Sequence, residues 1–171
     1  MAATEHTVDA NTAGSGGPSR RDAAFAVAPA RSTAQRRADV LAMLEGEEHV
    51  WIATGGQRVH LIPLACAWDG RRLVMATNSN NRTVRNLYIQ PRTRIALGTP
   101  KDVVLMDGDT EVLTPADITD EDSAILAALP LDPTRASGRV CLSFVPDRIL
   151  TWRDRGEIAD RLVMDCGKWL G

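Results

Sequence analysis

Thr77-Asn78-Ser79-Asn80-Asn81-Arg82-Thr83-Val84-Arg85-Asn86-Leu87 is the most informative stretch of this chain. It sets hydroxyls, amides and two arginines where a strand gives way to a helix. The preceding run, Arg72–Asn78, reads as a strand. Asn80–Gln90 reads as a short helix, opened by Ser79 and two asparagines and stopped by Pro91. Backbone N–H groups at a helix start attract anions, and a nearby guanidinium adds a bidentate partner. The stretch therefore suits a phosphate, although an ordinary capped helix with solvated arginines would carry the same residues.

Upstream of it, Ser32 followed three residues later by Gln35 reads as a capping box. Ala34, Ala38, Leu41 and Met43-Leu44 then form an apolar stripe at helical spacing that ends near Gly46. Strands are predicted over His49–Thr54, Arg58–Trp68 and Arg72–Asn78, with Gly55-Gly56 and Asp69-Gly70 as hairpin turns. In Arg58–Trp68 both alternating sets are largely apolar, which suits a barrel strand backed by another layer or subunit. Downstream, strands are predicted around Arg94–Gly98 and Val103–Leu113, with Gly108 as a bulge. A helix opens at Thr119-Asp120-Glu121-Asp122 and ends before Pro130. Strands Arg139–Phe144 and Arg148–Trp152 follow, and Glu157–Cys166 is expected to be a terminal helix. Strands dominate and pair mostly as hairpins. The fold class is therefore α+β, built on an antiparallel barrel with a few short helices.

Bulk properties exclude several functions. A length of 171 residues, 44% hydrophobic, suits one domain with a real core. Residues 1–32 are rich in Ala, Thr, Gly, Ser and Pro and are expected to form a flexible tail, leaving 33–171 as the domain. A net charge of −2 offers no footprint for nucleic acid, and no apolar run is long enough for a membrane span. Cys66, Cys141 and Cys166 form no Cys-x-x-Cys pair, so neither a disulfide framework nor structural zinc is expected, and a cytoplasmic setting fits. Ser19-Arg20-Arg21 ahead of Ala23–Ala30 loosely resembles a twin-arginine export signal, but its apolar run is short. No His/Asp/Glu cluster has metal-ligand spacing and no nucleophile motif occurs, so no metal is expected and no catalytic residue is assigned.

The quoted stretch resembles the flavin-phosphate motif of the pyridoxamine 5′-phosphate oxidase family, Thr-Asn-x-x-Ser-Arg-Lys-x-x-x-Leu. Thr77, Asn78, Arg82 and Leu87 match at the same spacing, while Asn81 stands for the serine and Thr83 for the lysine. Arg58-Val59-His60-Leu61-Ile62-Pro63 resembles the strand that lines the flavin ring in that family. Asp107–Leu113 resembles its Glu-Gly-x-Ala-Glu-x-Leu strand, and Pro146 with Trp152 its Pro-x-x-x-Glu-Phe-Trp. The resemblance implies a split β-barrel homodimer with FMN, or the deazaflavin coenzyme F420, at the subunit interface. It implies cofactor-binding roles for Arg58, His60, Leu61, Ile62, Pro63, Thr77, Asn78, Ser79, Arg82, Thr83, Asn86 and Trp152. Hydride transfer to or from a small-molecule substrate is the implied activity. A carrier or sensor of flavin, or a cofactor-free interaction domain, are the alternatives.

The departures bear on the substrate. Oxidases of the pyridoxal pathway carry Arg-Leu-His-Asp-Arg near the C-terminus, where this chain reads Arg161-Leu162-Val163-Met164-Asp165. Leu150 replaces the glutamate before the tryptophan. A pocket without those polar groups should grip a phosphorylated pyridine poorly, so pyridoxamine phosphate oxidase itself is rejected. Arg58, Arg71, Arg72 and Arg85 are candidates for a longer basic groove that an acidic deazaflavin tail would need.

Overall fold

The computed structural model describes residues 29–56, 58–127, 129–130 and 137–171. The expected tail therefore lies, for residues 1–28, outside the described residues. Along the chain come α1 (Thr33–Gly46), β1 (His49–Thr54), β2 (His60–Trp68), β3 (Leu73–Asn78) and α2 (Arg82–Ile89). β4 (Arg92–Thr99), β5 (Asp102–Leu113), α3 (Asp120–Leu126), β6 (Arg139–Trp152), β7 (Leu162–Asp165) and β8 (Lys168–Trp169) follow.

All pairings are antiparallel, in the order β3-β2-β1-β4-β5-β6-β7-β8. β6 also pairs with β3, from Leu73 opposite Phe144 to Asn78 opposite Arg139, and this closes β1–β6 into a six-stranded barrel. The α+β barrel expected from the hairpin spacing is therefore present.

Register places one apolar row across five strands inside the barrel: Ile62, Ile52, Ile95, Met106 and Ile149. Because strand side chains alternate in direction, the neighbouring residues form a row on the outside: Pro63, Trp51, Ala96, Leu105 and Leu150. That outer row is exposed or half-buried, with Trp51 at 50%. β3 is covered on both sides. Val74 and Ala76 turn outward, with Cys141 of β6, against Leu126 and Leu129. α3 is seated there by the capping box of Thr119 and Asp122, and by an Arg72 to Asp122 bond of 2.5 Å.

Gly108 marks the register shift between β5 and β6. A Cβ there would stand 2.1 Å from the Val145 carbonyl oxygen, so only glycine permits this approach.

Three expectations are corrected. The strands anticipated at Arg139–Phe144 and Arg148–Trp152 are one continuous strand, because Pro146 sits opposite Gly108 at the bulge, where its missing N–H breaks little. The terminal helix over Glu157–Cys166 is instead a 3₁₀ turn at Arg155–Glu157 followed by the hairpin β7–β8. Its two turn residues, Cys166 and Gly167, both have positive φ, at 49° and 72°, as a tight hairpin requires. α1 has the expected length, but it buries Arg36, Val40 and Leu44, while Ala34 and Ala38 face outward. Its capping box is half-formed: Ser32 Oγ accepts from the Gln35 N–H, whereas the Gln35 amide bonds Asp39.

Candidate functional site

α2 closes one end of the barrel. Its buried face carries Thr83, Val84, Asn86 and Leu87. Asn86 donates to Thr54 Oγ1 at 3.0 Å, and Thr93 and Thr110 share a hydroxyl bond of 2.7 Å in the same region. A polar layer of buried threonines and one amide therefore joins the helix to the barrel. Gly56 lies directly against this amide: a Cβ there would approach Asn86 Oδ1 to 2.6 Å.

The helix begins at Arg82 rather than Asn80, and its N-cap is Asn81. No side chain caps it, because the Asn81 amide donates to Thr77 Oγ1 at 2.7 Å. Ser79 is held by its N–H on the Gly138 carbonyl, at 2.9 Å. The first-turn N–H groups of α2 are thus left without a side-chain acceptor at the positive end of the helix.

Beside this helix lies a cleft of about 370 Å³ lined by Arg58, Arg82, Arg85, Asn86 and Ile89. Among the described residues none of its three arginines pairs with a carboxylate. The other expected groove arginines are absent from it. Arg71 and Arg72 line a separate cavity, where Arg72 is engaged by Asp69 at 2.7 Å and by Asp122. Asp122 is held below the usual carboxylate range: burial raises it, but the Thr119 N–H and hydroxyl and the Arg72 guanidinium outweigh burial.

The structure thus gathers Arg58, Arg82 and Asn86 of the expected site residues into one cleft and adds Arg85 and Ile89. Ile89, 75% exposed, carried no signal beyond being the last apolar residue before Pro91. Thr83, at the lysine position of the motif, is fully buried and its Oγ1 has no hydrogen-bond partner among the described residues. The additional cations of the cleft come instead from Arg58 and Arg85. Thr77 is buried, whereas Asn78 and Ser79 are exposed at the strand end.

The strand expected to line a flavin ring divides by alternation. Leu61 and Pro63 lie on the outer face beside Ala53 and Trp51, with Leu61 55% exposed. His60 is the first residue of β2, half-buried opposite Thr54, and Ile62 packs into the core. Trp152 stands at the far end of β6, opposite Val103, with the Arg161 guanidinium 5.9 Å from its ring centroid. Arg139, opposite Asn78, lies thirteen residues before it, on the order of 40 Å along the strand. One copy of the chain does not bring Trp152 to the cleft.

Among the described residues there is no group of three metal-ligating side chains, and no helix is long and apolar enough to cross a membrane.

No family model matches the chain, and no curated protein sequence matches it significantly. Solved structures do match. The general stress protein 26 of Bacillus anthracis str. Sterne is 14% identical with a TM-score of 0.55, over 70% of this chain and 95% of that one. A putative pyridoxamine 5′-phosphate oxidase from Listeria innocua is 14% identical with a TM-score of 0.56, over 68% and 97%. An F420 reductase is 19% identical with a TM-score of 0.51, over 63% and 93%. The chain has the split-barrel fold of these pyridoxamine 5′-phosphate oxidase-like proteins, as its motif resemblance implied.

Proposed function

We propose that the chain binds a flavin or deazaflavin and serves as an oxidoreductase acting on a small-molecule substrate. The observation that carries this reading is the convergence of Arg58, Arg82 and Arg85, unpaired among the described residues, on one cleft that runs along the side of α2 from Arg82 to Ile89. An uncompensated cluster of guanidiniums is suited to a phosphate-bearing tail. The motif match at Thr77, Asn78, Arg82 and Leu87, and solved neighbours named for pyridoxamine 5′-phosphate oxidase and for F420 reduction, support the same choice.

In this reading Arg82, with Arg58 and Arg85, holds the anionic tail, and the loop Thr77–Ser79 shapes its seat. The outer face of β2, with Leu61 and Pro63, lies under the ring. A bound flavin or deazaflavin supplies the hydride-carrying ring, and these residues supply position and charge. Among the described residues, no side chain lining the cleft is a general acid or base near neutral pH, which agrees with chemistry residing in the cofactor. The outer apolar row around Trp51 is the face for a second copy, and a Trp152 contact with the cofactor would have to come from that copy. The cytoplasm is the proposed compartment, supported by three unpaired thiols.

The test is a fluorescence titration of the purified chain with FMN and, separately, with the deazaflavin coenzyme, on wild type and Arg82→Ala. Tight binding that the variant weakens is expected. Binding without turnover in a hydride-transfer screen leaves a carrier; binding of neither cofactor rejects the reading.

A further inference from the structure

Asn86 lines the arginine cleft beside α2, yet it is only 7% exposed and its amide is committed to the protein. Nδ2 donates to Oγ1 of Thr54, the buried last residue of β1, at 3.0 Å. Oδ1 lies against Gly56, in the turn from β1 to β2, where an added Cβ would stand 2.6 Å away. Gly56 is not among the glycines with positive φ, so the Asn86 amide, and not the backbone, excludes a side chain there. One side chain of α2 thus touches both the end of β1 and the turn from which Arg58 reaches the cleft.

That cleft is assembled from two pieces. Arg82 and Arg85 stand on α2, which Thr83, Val84, Asn86 and Leu87 fix to the barrel. Arg58 stands on the turn, which the sheet holds only at its ends, where Thr54 pairs with His60. Among the described residues Arg58 forms no ion pair and no side-chain hydrogen bond. Arg58 is exposed, and its neighbour Val59 is 85% exposed. At Gly55 an added Cβ would meet Gln90 Cγ at 3.8 Å, an ordinary contact, so the approach at Gly56 is the tight one. Like charges repel, so nothing electrostatic draws Arg58 towards Arg82 and Arg85 before an anion arrives. A packing contact has to hold it there.

We propose that Asn86 is a positioning residue and not a ligand of the cofactor. By clasping Thr54 and Gly56 it holds Arg58 within reach of the anion that Arg82 and Arg85 bind, so the cleft is organised in advance. This inference rests on the cofactor reading of the cleft.

The experiment is a set of double-mutant cycles on the full chain, read by calorimetric titration with FMN and, separately, with the deazaflavin coenzyme. Arg58→Ala should weaken whichever cofactor binds wild type by about fivefold, and Arg82→Ala by more. Asn86→Ala and Gly56→Ala should each weaken it about as much as Arg58→Ala does, and together by no more than either alone. In both backgrounds Arg58→Ala should cost less than about a further twofold, whereas Arg82→Ala keeps its full effect. Gly56→Ala alters an exposed turn, so the cycle survives if Asn86→Ala does not fold. Wild type that binds neither cofactor would reject the cofactor reading itself. With binding present, four results overturn the positioning role alone. They are no loss in Arg58→Ala, additive losses of Arg58→Ala and the clasp variants, a loss in Asn86→Ala far beyond that of Arg58→Ala, and disappearance of the Arg82 effect in the clasp variants.

Discussion

Arg31 and Glu157, 126 residues apart in sequence, are joined side to side: Nε reaches Oε1 at 2.8 Å and Nη2 reaches Oε2 at 2.7 Å. The Arg31 and Arg153 backbone N–H groups complete the carboxylate's shell, at 3.0 and 2.8 Å. The Arg31 side chain, outweighing burial, lowers the Glu157 carboxyl from its ordinary 4.5 to about 2. The carboxyl ionises more readily in the folded chain than in the unfolded one. Its stabilisation is therefore full above about pH 4.5 and fades as pH falls towards 2. Glu157→Gln should cost about 3 kcal/mol near neutrality, roughly 6–12 °C in Tm. It should also flatten the acid limb of a stability–pH curve between pH 4.5 and 2. A limb unchanged in the variant would assign acid sensitivity to other carboxylates.

The three cleft arginines should act together on cofactor affinity. Losing one charge-assisted contact is worth about 1.5–3 kcal/mol, on the order of 10- to 150-fold in Kd. Arg82→Ala should fall in that range, with smaller losses for Arg58→Ala and Arg85→Ala. Raised salt should weaken wild type more than any of the variants. Titrations at two ionic strengths check both points.

Gly108→Ala should be among the most damaging single changes in the barrel. The added methyl meets the Val145 carbonyl at 2.1 Å and the Phe144 ring at 2.8 Å, both fixed by strand pairing. A loss of roughly 3 kcal/mol or more, read from urea unfolding, is expected. Gly46→Ala, with nothing within 4 Å of the new methyl, is the matched control.

Thiol chemistry should distinguish the three cysteines. Burial pushes Cys66 and Cys141 each up to about 12, whereas Cys166 is exposed at the β7–β8 turn. A thiol reagent at pH 8 should modify one cysteine of the native chain and all three after denaturation. Rapid native labelling of Cys66 would contradict its placement beneath the Glu47 carbonyl.

Much of the barrel was legible because its strands are amphipathic hairpins with short turns. His49–Thr54 was read to the residue, and Gly108 was read as a bulge. The errors have local causes. Pro146 looked like a strand break, yet a bulge is one of the places where a sheet tolerates proline. The β7–β8 hairpin was missed because its turn uses Cys166 at positive φ, where Asn or Asp is the usual signal. On α1 an arginine takes a core-facing position, so hydrophobic spacing placed Leu44 and Met43 on the core side but put Ala34 and Ala38 there wrongly. At the site, the motif located Arg82. Arg58 and Arg85 were among the four expected groove arginines; that these two and not Arg71 or Arg72 share the cleft, and that Thr83 is buried, depends on how the chain lies against α2, which spacing alone does not encode.

The β3–β6 pairing has a consequence for how this chain reaches its fold. Neighbouring hairpins such as β1–β2 can form from nearby residues, but Leu73 must find Phe144 and Asn78 must find Arg139 across sixty or more intervening positions. Loop-closure entropy falls most heavily on this step, so the barrel should zip from its hairpins and seal last along that line. On β6 a single backbone must choose its register against β3, β5 and β7 together. Substitutions along the β3–β6 seam should therefore hasten unfolding with little effect on folding, whereas equally destabilising ones inside the hairpins should slow folding.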